Sequence, residues 1–217
     1  MFGFSIVRNG LSKIMRRTLF RIRLPLALFL VLVLTLTGAG FTIFLRVLAS
    51  HAYGDFMRLD TKYAEVYFPR SWIAYGWETK NFSGNQYVVM VAPPAILARM
   101  FIVIYDEASA EGYLSKYNLT DAPSIVAHEL RMFQENANAT LQIVQSGTVP
   151  LFGYTASYSV FELTGVLDRE GNSHNLTGTF MSFMGRGIIE VAHYGSKEEY
   201  YQVAQDFESI LNLTKIK

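Results

Sequence analysis

The 217-residue chain contains no cysteine, and this absence excludes several kinds of chemistry. Without a thiol there is no disulfide, no thiolate nucleophile, no zinc–cysteine site and no lipidated N-terminal cysteine. An excess of charge is lacking as well, because the formal net charge is only +1. Nucleic-acid binding requires a strongly basic surface. We therefore expect no nucleic-acid partner.

Motifs that hold cofactors or carry catalysis are also missing. The chain has no glycine-rich phosphate loop and no Gly-x-Ser-x-Gly nucleophile elbow. His128 lies on a predicted helix, but Met132 occupies the position where a zinc-binding helix places its second histidine. Residues 168–172 alternate oxygen-bearing side chains around a glycine but lack the downstream glutamate of a calcium loop, which favours a solvated turn. We expect no metal and no cofactor, and these absences favour a role other than catalysis.

One long apolar run is present, over Leu24–Leu45, and it contains no charged residue. A helix that crosses the hydrocarbon core needs about 20 apolar residues. Six cations and no acid precede the run, whereas Arg46 alone follows it closely, and basic flanks stay in the cytoplasm. We predict a cytoplasmic tail over 1–23, a transmembrane helix over 24–46 and a location in the cell membrane. The first expected partner is thus the lipid bilayer. We expect the C-terminal domain to lie outside the cytoplasm.

A cleaved secretory signal is the alternative interpretation of this N-terminal region. Its apolar core normally has about 7–15 residues, and the run here is longer. Small residues that suit cleavage occur at Ala49 and Ala52. A retained anchor is favoured, and cleavage stays open.

Five asparagines match the N-glycosylation acceptor pattern, and all of them follow the apolar run. Their positions fit a domain outside the cytoplasm that carries glycans. The other interpretation is that they are ordinary turn and helix-cap asparagines. The candidate glycosylation sites are Asn81, Asn118, Asn138, Asn175 and Asn212.

The remaining chain predicts a connector over 47–61 and one domain over 62–217. Tyr63–Phe68 alternates apolar and polar residues, as a half-buried strand does. Tyr87–Ala92 and Met100–Tyr105 are continuous apolar runs, which are typical of strands covered on both faces. Arg70–Trp77 is aromatic and is interpreted as a turn region.

Helices and hairpins complete the pattern. We predict helices over Ser109–Tyr117 and from the Asp121 cap onward, and a C-terminal helix with Phe207 at the centre of its apolar stripe. The last helix begins at a predicted capping box, Ser196–Glu199. The strand segments are Phe152–Phe161, Leu176–Met184 and Ile188–Tyr194, the last two joined by a glycine hairpin. The prediction is an α+β protein with an N-terminal transmembrane helix and an α/β/α sandwich around a mainly antiparallel sheet.

Three segments resemble those of PsbP-like and Mog1-like domains. Tyr67–Trp72 is similar to their early segment of a strand, a proline and a tryptophan, and Leu151–Tyr158 is similar to their glycine-alanine strand. The last strand and helix, which includes Phe207, resemble their closing helix. The resemblance implies an α/β/α sandwich in a family of assembly factors, photosystem subunits, small-GTPase binders and surface lipoproteins, generally not enzymes. No functional residue is shared across that range, and this chain has no cysteine to lipidate.

The aromatic cluster of Trp72, Tyr75 and Trp77 is the candidate interaction surface, since aromatic side chains are enriched at interfaces. The competing interpretation, which we favour for Trp72, is that it closes one end of the sandwich. The leading hypothesis is a single-pass, membrane-anchored, extracytoplasmic module that binds or assembles a protein partner. The alternative is an extracytoplasmic ligand-binding domain or hydrolase with a pocket near Trp72 and Trp77.

Overall fold

The computed structural model describes residues 55–94, 96–167 and 171–217. The predicted tail, the predicted transmembrane helix over Leu24–Leu45 and the first part of the connector lie outside these residues, as do residues 168–170 of the predicted turn. Within the described ranges, no helix combines the length and the apolar character that a membrane span needs.

The described residues form ten strands and three helices. The strands are β1 (Phe56–Asp60), β2 (Ala64–Pro69), β3 (Ile73–Asn81), β4 (Gly84–Ala92), β5 (Arg99–Tyr105), β6 (Thr140–Leu151), β7 (Tyr154–Leu167), β8 (Ser173–Met184), β9 (Ile188–Ser196) and β10 (Lys215–Ile216). The helices are α1 (Glu107–Tyr117), α2 (Ala122–Ala137) and α3 (Lys197–Leu213).

The strands form two sheets, and every strand pairing in the described ranges is antiparallel. The large sheet has seven strands in the order β3-β4-β5-β9-β8-β7-β6, and the small one has the order β1-β2-β10. The prediction of an α+β domain with a mainly antiparallel sheet is therefore confirmed.

Both faces of the large sheet are covered. On one face, α3 and strand β2 of the small sheet pack on β5, β8 and β9 around the fully buried Phe207. On the other face, α1 packs near Tyr105 and α2 packs near Phe161. Successive residues of a strand point to opposite faces, so the continuous apolar run of β5 supplies both layers. The prediction that this strand is covered on both faces is confirmed.

Strand β1 lies within the segment that we predicted to be a connector. Phe56–Asp60 pairs with β2, with Leu59 opposite Val66. Met57 and Leu59 pack against the main core. The folded unit therefore includes residues before position 62, and the alternating strand predicted at Tyr63–Phe68 is its partner.

The prediction of a turn over the whole of Arg70–Trp77 is wrong. The turn ends at Trp72, whose backbone N–H donates to the carbonyl oxygen of Pro69, and Ile73–Asn81 forms strand β3. This strand lies at the edge of the large sheet, and none of its residues is fully buried. Because neither face is deeply covered, its sequence lacks the alternation by which strands are recognised.

Of the two predicted helix caps, Asp121 is confirmed and the box at Ser196–Glu199 is not. Asp121 accepts from the backbone N–H of Ser124, and Ser124 bonds back to complete a capping box at α2. At α3 the predicted capping box is absent. Ser196 Oγ instead donates to Glu199 Oε2 at 2.6 Å, and this carboxylate also accepts from the backbone N–H of Leu97 at 3.1 Å. Glu199 therefore ties the β4–β5 loop to α3 rather than capping the helix.

Candidate functional site

Trp72 belongs to the core. Its side chain is 8% exposed, and its ring lies edge-on to Phe207, with centroids 5.5 Å apart and planes at 83°. Aromatic pairs favour this edge-to-face arrangement. Trp72 is therefore a buried core residue, and its side chain is not available as a surface contact.

Tyr75 and Trp77 lie on the opposite face of the large sheet from Trp72. Ala74 packs with the core that contains Trp72, so its strand neighbours on either side point the other way. Tyr75 is 39% exposed, and Trp77 is half-buried. The sheet thus separates Trp72 from Trp77, and the structure does not bring the two tryptophans together around one pocket.

Further apolar side chains continue from Tyr75 and Trp77 across the sheet. Met90 of β4 lies opposite Tyr75, and Phe101 of β5 lies opposite Met90. Both are half-buried, and Phe101 stacks on Tyr194 with ring centroids 6.1 Å apart. We call Tyr75, Trp77, Met90 and Phe101 the aromatic face. It starts at the edge strand and carries side chains of the types enriched at protein interfaces.

A second candidate, which sequence reasoning missed, is a buried carboxyl cluster beneath α1 and α2. Glu190 of β9 is 3% exposed, and Tyr105 Oη donates to its Oε2 at 3.3 Å. Tyr113 of α1 donates to Oε1 of Glu129 of α2 at 2.5 Å. The ring of His128 is tilted by 38° against that of Tyr117, with centroids 4.3 Å apart. The contacts of Tyr113 and Tyr117 join α1 to α2, and the stacking of Tyr113 on Tyr105, with centroids 5.1 Å apart, joins α1 to the sheet.

Burial governs the electrostatics of this cluster. It raises the pKa of Glu190 well above the usual value, and the nearby charge of Glu129 adds to the rise, while the hydrogen bond from Tyr105 opposes it. Burial likewise raises the pKa of both tyrosines. Among the described residues, neither Glu190 Oε1 nor the Oγ of Ser182, which faces it on β8, has a hydrogen-bond partner.

The cluster has the perturbed ionisation of a functional site without its accessibility. A reactive carboxyl group must reach a substrate, and Glu190 is closed off by the two helices. The ionisation of Glu190 therefore affects the stability of the domain. The sequence signal was a single acid within the predicted strand Ile188–Tyr194.

His193 is also buried, but on the α3 side of the sheet. Its ring stacks on Tyr200 at 5.6 Å and lies 5.1 Å from Phe207. Burial lowers its pKa to about 4, so that the ring is neutral near pH 7. The described residues contain no group of three or more potential ligands that could hold a metal ion.

The candidate glycosylation sites occupy accessible positions. Asn118 and Asn138 end α1 and α2 in the left-handed conformation, with φ of 54° and 48°. Asparagine tolerates this conformation, which accounts for its presence at both helix ends without a glycan. Asn175 and Asn212 are exposed, and Asn81 is half-buried at the end of β3, where its amide donates to Gln86.

Comparisons with known proteins show the fold of the domain but not its family. No protein-family model matches the chain, and no curated protein matches it. The solution structure of cyanobacterial PsbP from Synechocystis is similar with a TM-score of 0.53 and 10% identity, over 80% of this chain and 99% of that one. A Pseudomonas aeruginosa protein of unknown function matches with a TM-score of 0.36 and 12% identity, over 72% of this chain and 93% of that one. The first likeness confirms that the fold is PsbP-like.

Proposed function

We propose that this chain is a single-pass membrane protein whose extracytoplasmic PsbP-like domain binds a protein partner and is not an enzyme. The observation that supports this proposal is the aromatic face, where Tyr75 is exposed beside the half-buried Trp77 and Met90. A monomer that needed these side chains only for its own core would bury them, as it buries Trp72.

The proposed partner is a protein rather than a small molecule. The aromatic face belongs to the edge strand β3 and the next two strands of the sheet, and a sheet edge offers both flat contact area and unpaired backbone groups. Tyrosine and tryptophan are also the side chains that most often dominate binding energy at protein interfaces.

The alternative of a ligand-binding domain or hydrolase with a pocket between the two tryptophans receives no such support. Trp72 packs on Phe207 on the α3 side of the sheet, whereas Trp77 lies on the other side. The buried Glu190 has a raised pKa, but the helices over it exclude a substrate.

The membrane anchor is proposed from the charge-free Leu24–Leu45 and the cations before it, which lie outside the described residues. The glycan attachments at the five asparagines belong to the same proposal, since they require the domain to lie outside the cytoplasm.

The test compares two tyrosine variants in the full chain in its own membrane. Tyr75→Ala removes an exposed ring from the aromatic face. Tyr154→Ala is the matched control, because Tyr154 is 48% exposed and stacks on Phe183 far from that face. After chemical cross-linking and purification, we expect one protein to be recovered at a fixed ratio with the parent and with Tyr154→Ala. Tyr75→Ala should lose it.

Removal of a tyrosine that dominates an interface weakens binding by about 2 kcal/mol or more, roughly thirtyfold in affinity. Recovery of the same protein by all three chains, or of no protein by any of them, would contradict the proposal.

A further inference from the structure

We propose that the end of the domain at which the described chain begins docks on the lipid surface through Ile73, Leu97 and Tyr201, which we call the docking end. This inference rests on the membrane anchor of the proposed function and adds which surface of the domain contacts lipid. Ile73 lies on the same face of β3 as Tyr75, two residues closer to this end, so the docking end borders the partner-binding aromatic face.

The three side chains are among the large apolar residues left exposed. Ile73 and Leu97 are each 44% exposed, and Tyr201 is 64% exposed. They come from three separate elements, namely the start of β3, the β4–β5 loop and the first turns of α3.

Hydrogen bonds and strand register bring these elements to one end of the domain. Ile73 pairs with Ala92, the last residue of β4, so that the loop containing Leu97 begins beside it. The backbone N–H of Leu97 donates to Glu199 in the first turn of α3, so that the start of this helix, which carries Tyr201, lies at the same end of the domain.

The described chain enters the domain at this end. The backbone N–H of Arg70 donates to the carbonyl oxygen of Asp55 at 2.9 Å, and Arg70 precedes Ile73 by only three residues. Whatever precedes Asp55 therefore leaves the domain close to Ile73.

The length of the connecting segment determines which surface of the domain can contact lipid. Residues 46–54 separate Leu45 from Asp55, and nine residues span at most about 32 Å when fully extended. A domain of this size is about 40 Å across. The tether is too short for the far end of the domain to reach the bilayer, so the docking end is the part held against it.

The contact is apolar rather than electrostatic. The cations at this end are Arg70, Arg99 and Lys197, and acids stand beside them at Asp55, Glu198 and Glu199. The Arg99 guanidinium is already bonded to the carbonyl oxygens of Ile96 and Ala98, and Lys197 pairs with Glu162 at 3.5 Å. Leucine, isoleucine and tyrosine suit the boundary between headgroups and acyl chains. Docking should therefore need no anionic lipid.

The absence of cysteine allows a direct experiment. The full chain carrying Leu97→Cys is labelled with an environment-sensitive fluorophore and reconstituted into phosphatidylcholine vesicles that contain a nitroxide-labelled lipid. Arg186→Cys is the matched control, because Arg186 is exposed in the β8–β9 turn, at the opposite end of β9 from Tyr194 and its partner Arg99.

We expect the label at position 97 to show blue-shifted emission and strong quenching by the nitroxide lipid, and the label at position 186 to show neither. Addition of phosphatidylserine or of salt should leave the quenching unchanged. Adding Ile73→Ser and Tyr201→Ser to the Leu97→Cys chain should reduce the quenching, and because both residues are exposed the fold is retained.

Flotation of the vesicles tests the membrane anchor separately from the docking. A chain that does not float with the vesicles would overturn both the membrane anchor and the docking. A chain that floats with an unquenched label at position 97 would overturn the docking alone. Equal quenching at positions 97 and 186 would also overturn it, because it would show adsorption without a preferred end.

Discussion

Glu190 and His193 stand three residues apart on strand β9 and lie on opposite faces of the large sheet. An odd separation along a strand places side chains on different faces. Glu190 accepts from Tyr105 beneath α1 and α2, whereas His193 stacks on Tyr200 of α3. The two residues therefore form no histidine–carboxylate pair. Each is a separate buried titratable group, and the pH affects stability through them in opposite directions.

Glu190→Gln should stabilise the domain at neutral pH. The folded-state pKa of Glu190 is raised above its usual value of 4.5, so between these two values the folded state keeps a proton that the unfolded state has released. Stability then falls as the pH rises from 4.5 toward the folded-state pKa. Glutamine keeps the acceptor for Tyr105 and cannot ionise, so the gain over the parent should be absent below pH 4.5 and grow above it.

The measurement is the free energy of unfolding of both proteins in denaturant at a series of pH values. Glu111→Gln is the control, because Glu111 is exposed on α1. Parallel curves for the parent and Glu190→Gln from pH 4 to pH 8 would show that Glu190 does not titrate as its burial implies.

His193→Phe should remove a loss of stability at acid pH. The folded-state pKa of His193 is about 4 and the reference value is 6.5, so between these values only the unfolded state gains a proton. The parent therefore loses stability as the pH falls through this window, by up to roughly 3 kcal/mol. Phenylalanine retains the stacking on Tyr200 without the titration. The difference in unfolding free energy between parent and variant should change between pH 7 and pH 4, and a constant difference would contradict the assignment.

A fragment spanning 55–217 should fold without metal or cofactor and be more stable than one spanning 62–217. The shorter fragment lacks β1, whose Met57 and Leu59 pack on the core. Two half-buried side chains of this size account for about 2–3 kcal/mol. Circular dichroism during thermal unfolding, with and without chelator, provides the comparison. Equal stability of the two fragments would mean that β1 contributes nothing to the core.

Phe207→Ala should destabilise the domain by about 3–5 kcal/mol, the usual result of truncating a buried phenylalanine. Phe207 is fully buried and contacts both Trp72 and His193. Tyr201→Ala on the same helix is the control, and the exposure of Tyr201 predicts a change within about 0.5 kcal/mol. If the Phe207→Ala domain unfolds at the same denaturant concentration as the parent, Phe207 is not part of the core.

The sequence predicted those elements whose local pattern and tertiary environment agree. The alternation around Val66 matches a strand covered on one face, and the Asp121 cap matches the start of α2. No residue of the edge strand β3 is fully buried, so its sequence lacks the alternation of apolar and polar residues that would predict a strand.

Strand β7 shows a different limit. Its serines alternate with Ala156 and Tyr158, and such polar residues ordinarily face solvent. Ser157 and Ser159 are nevertheless 8% and 7% exposed, because they lie on the helix-covered side of the sheet. Polarity alone could not indicate that α2 would cover them, since the helix and the strand are distant in sequence.

The candidate site was predicted only in part, for the same reason. Composition selected Trp72, Tyr75 and Trp77 together, and only the strand geometry separated the buried Trp72 from the exposed Tyr75. The partners of Glu190 come from three other elements, and their convergence is a property of the fold rather than of any local pattern.

The central claim, that the PsbP-like domain lies outside the cytoplasm on a membrane anchor, is tested most directly by single-cysteine labelling of intact cells. A membrane-impermeant maleimide should label Ser83→Cys, which lies exposed in the β3–β4 turn, without permeabilisation. It should label Ser12→Cys, in the predicted cytoplasmic tail, only after permeabilisation. Protection of position 83 in intact cells with labelling of position 12 would contradict the proposed orientation, and protection of both would place the whole chain inside.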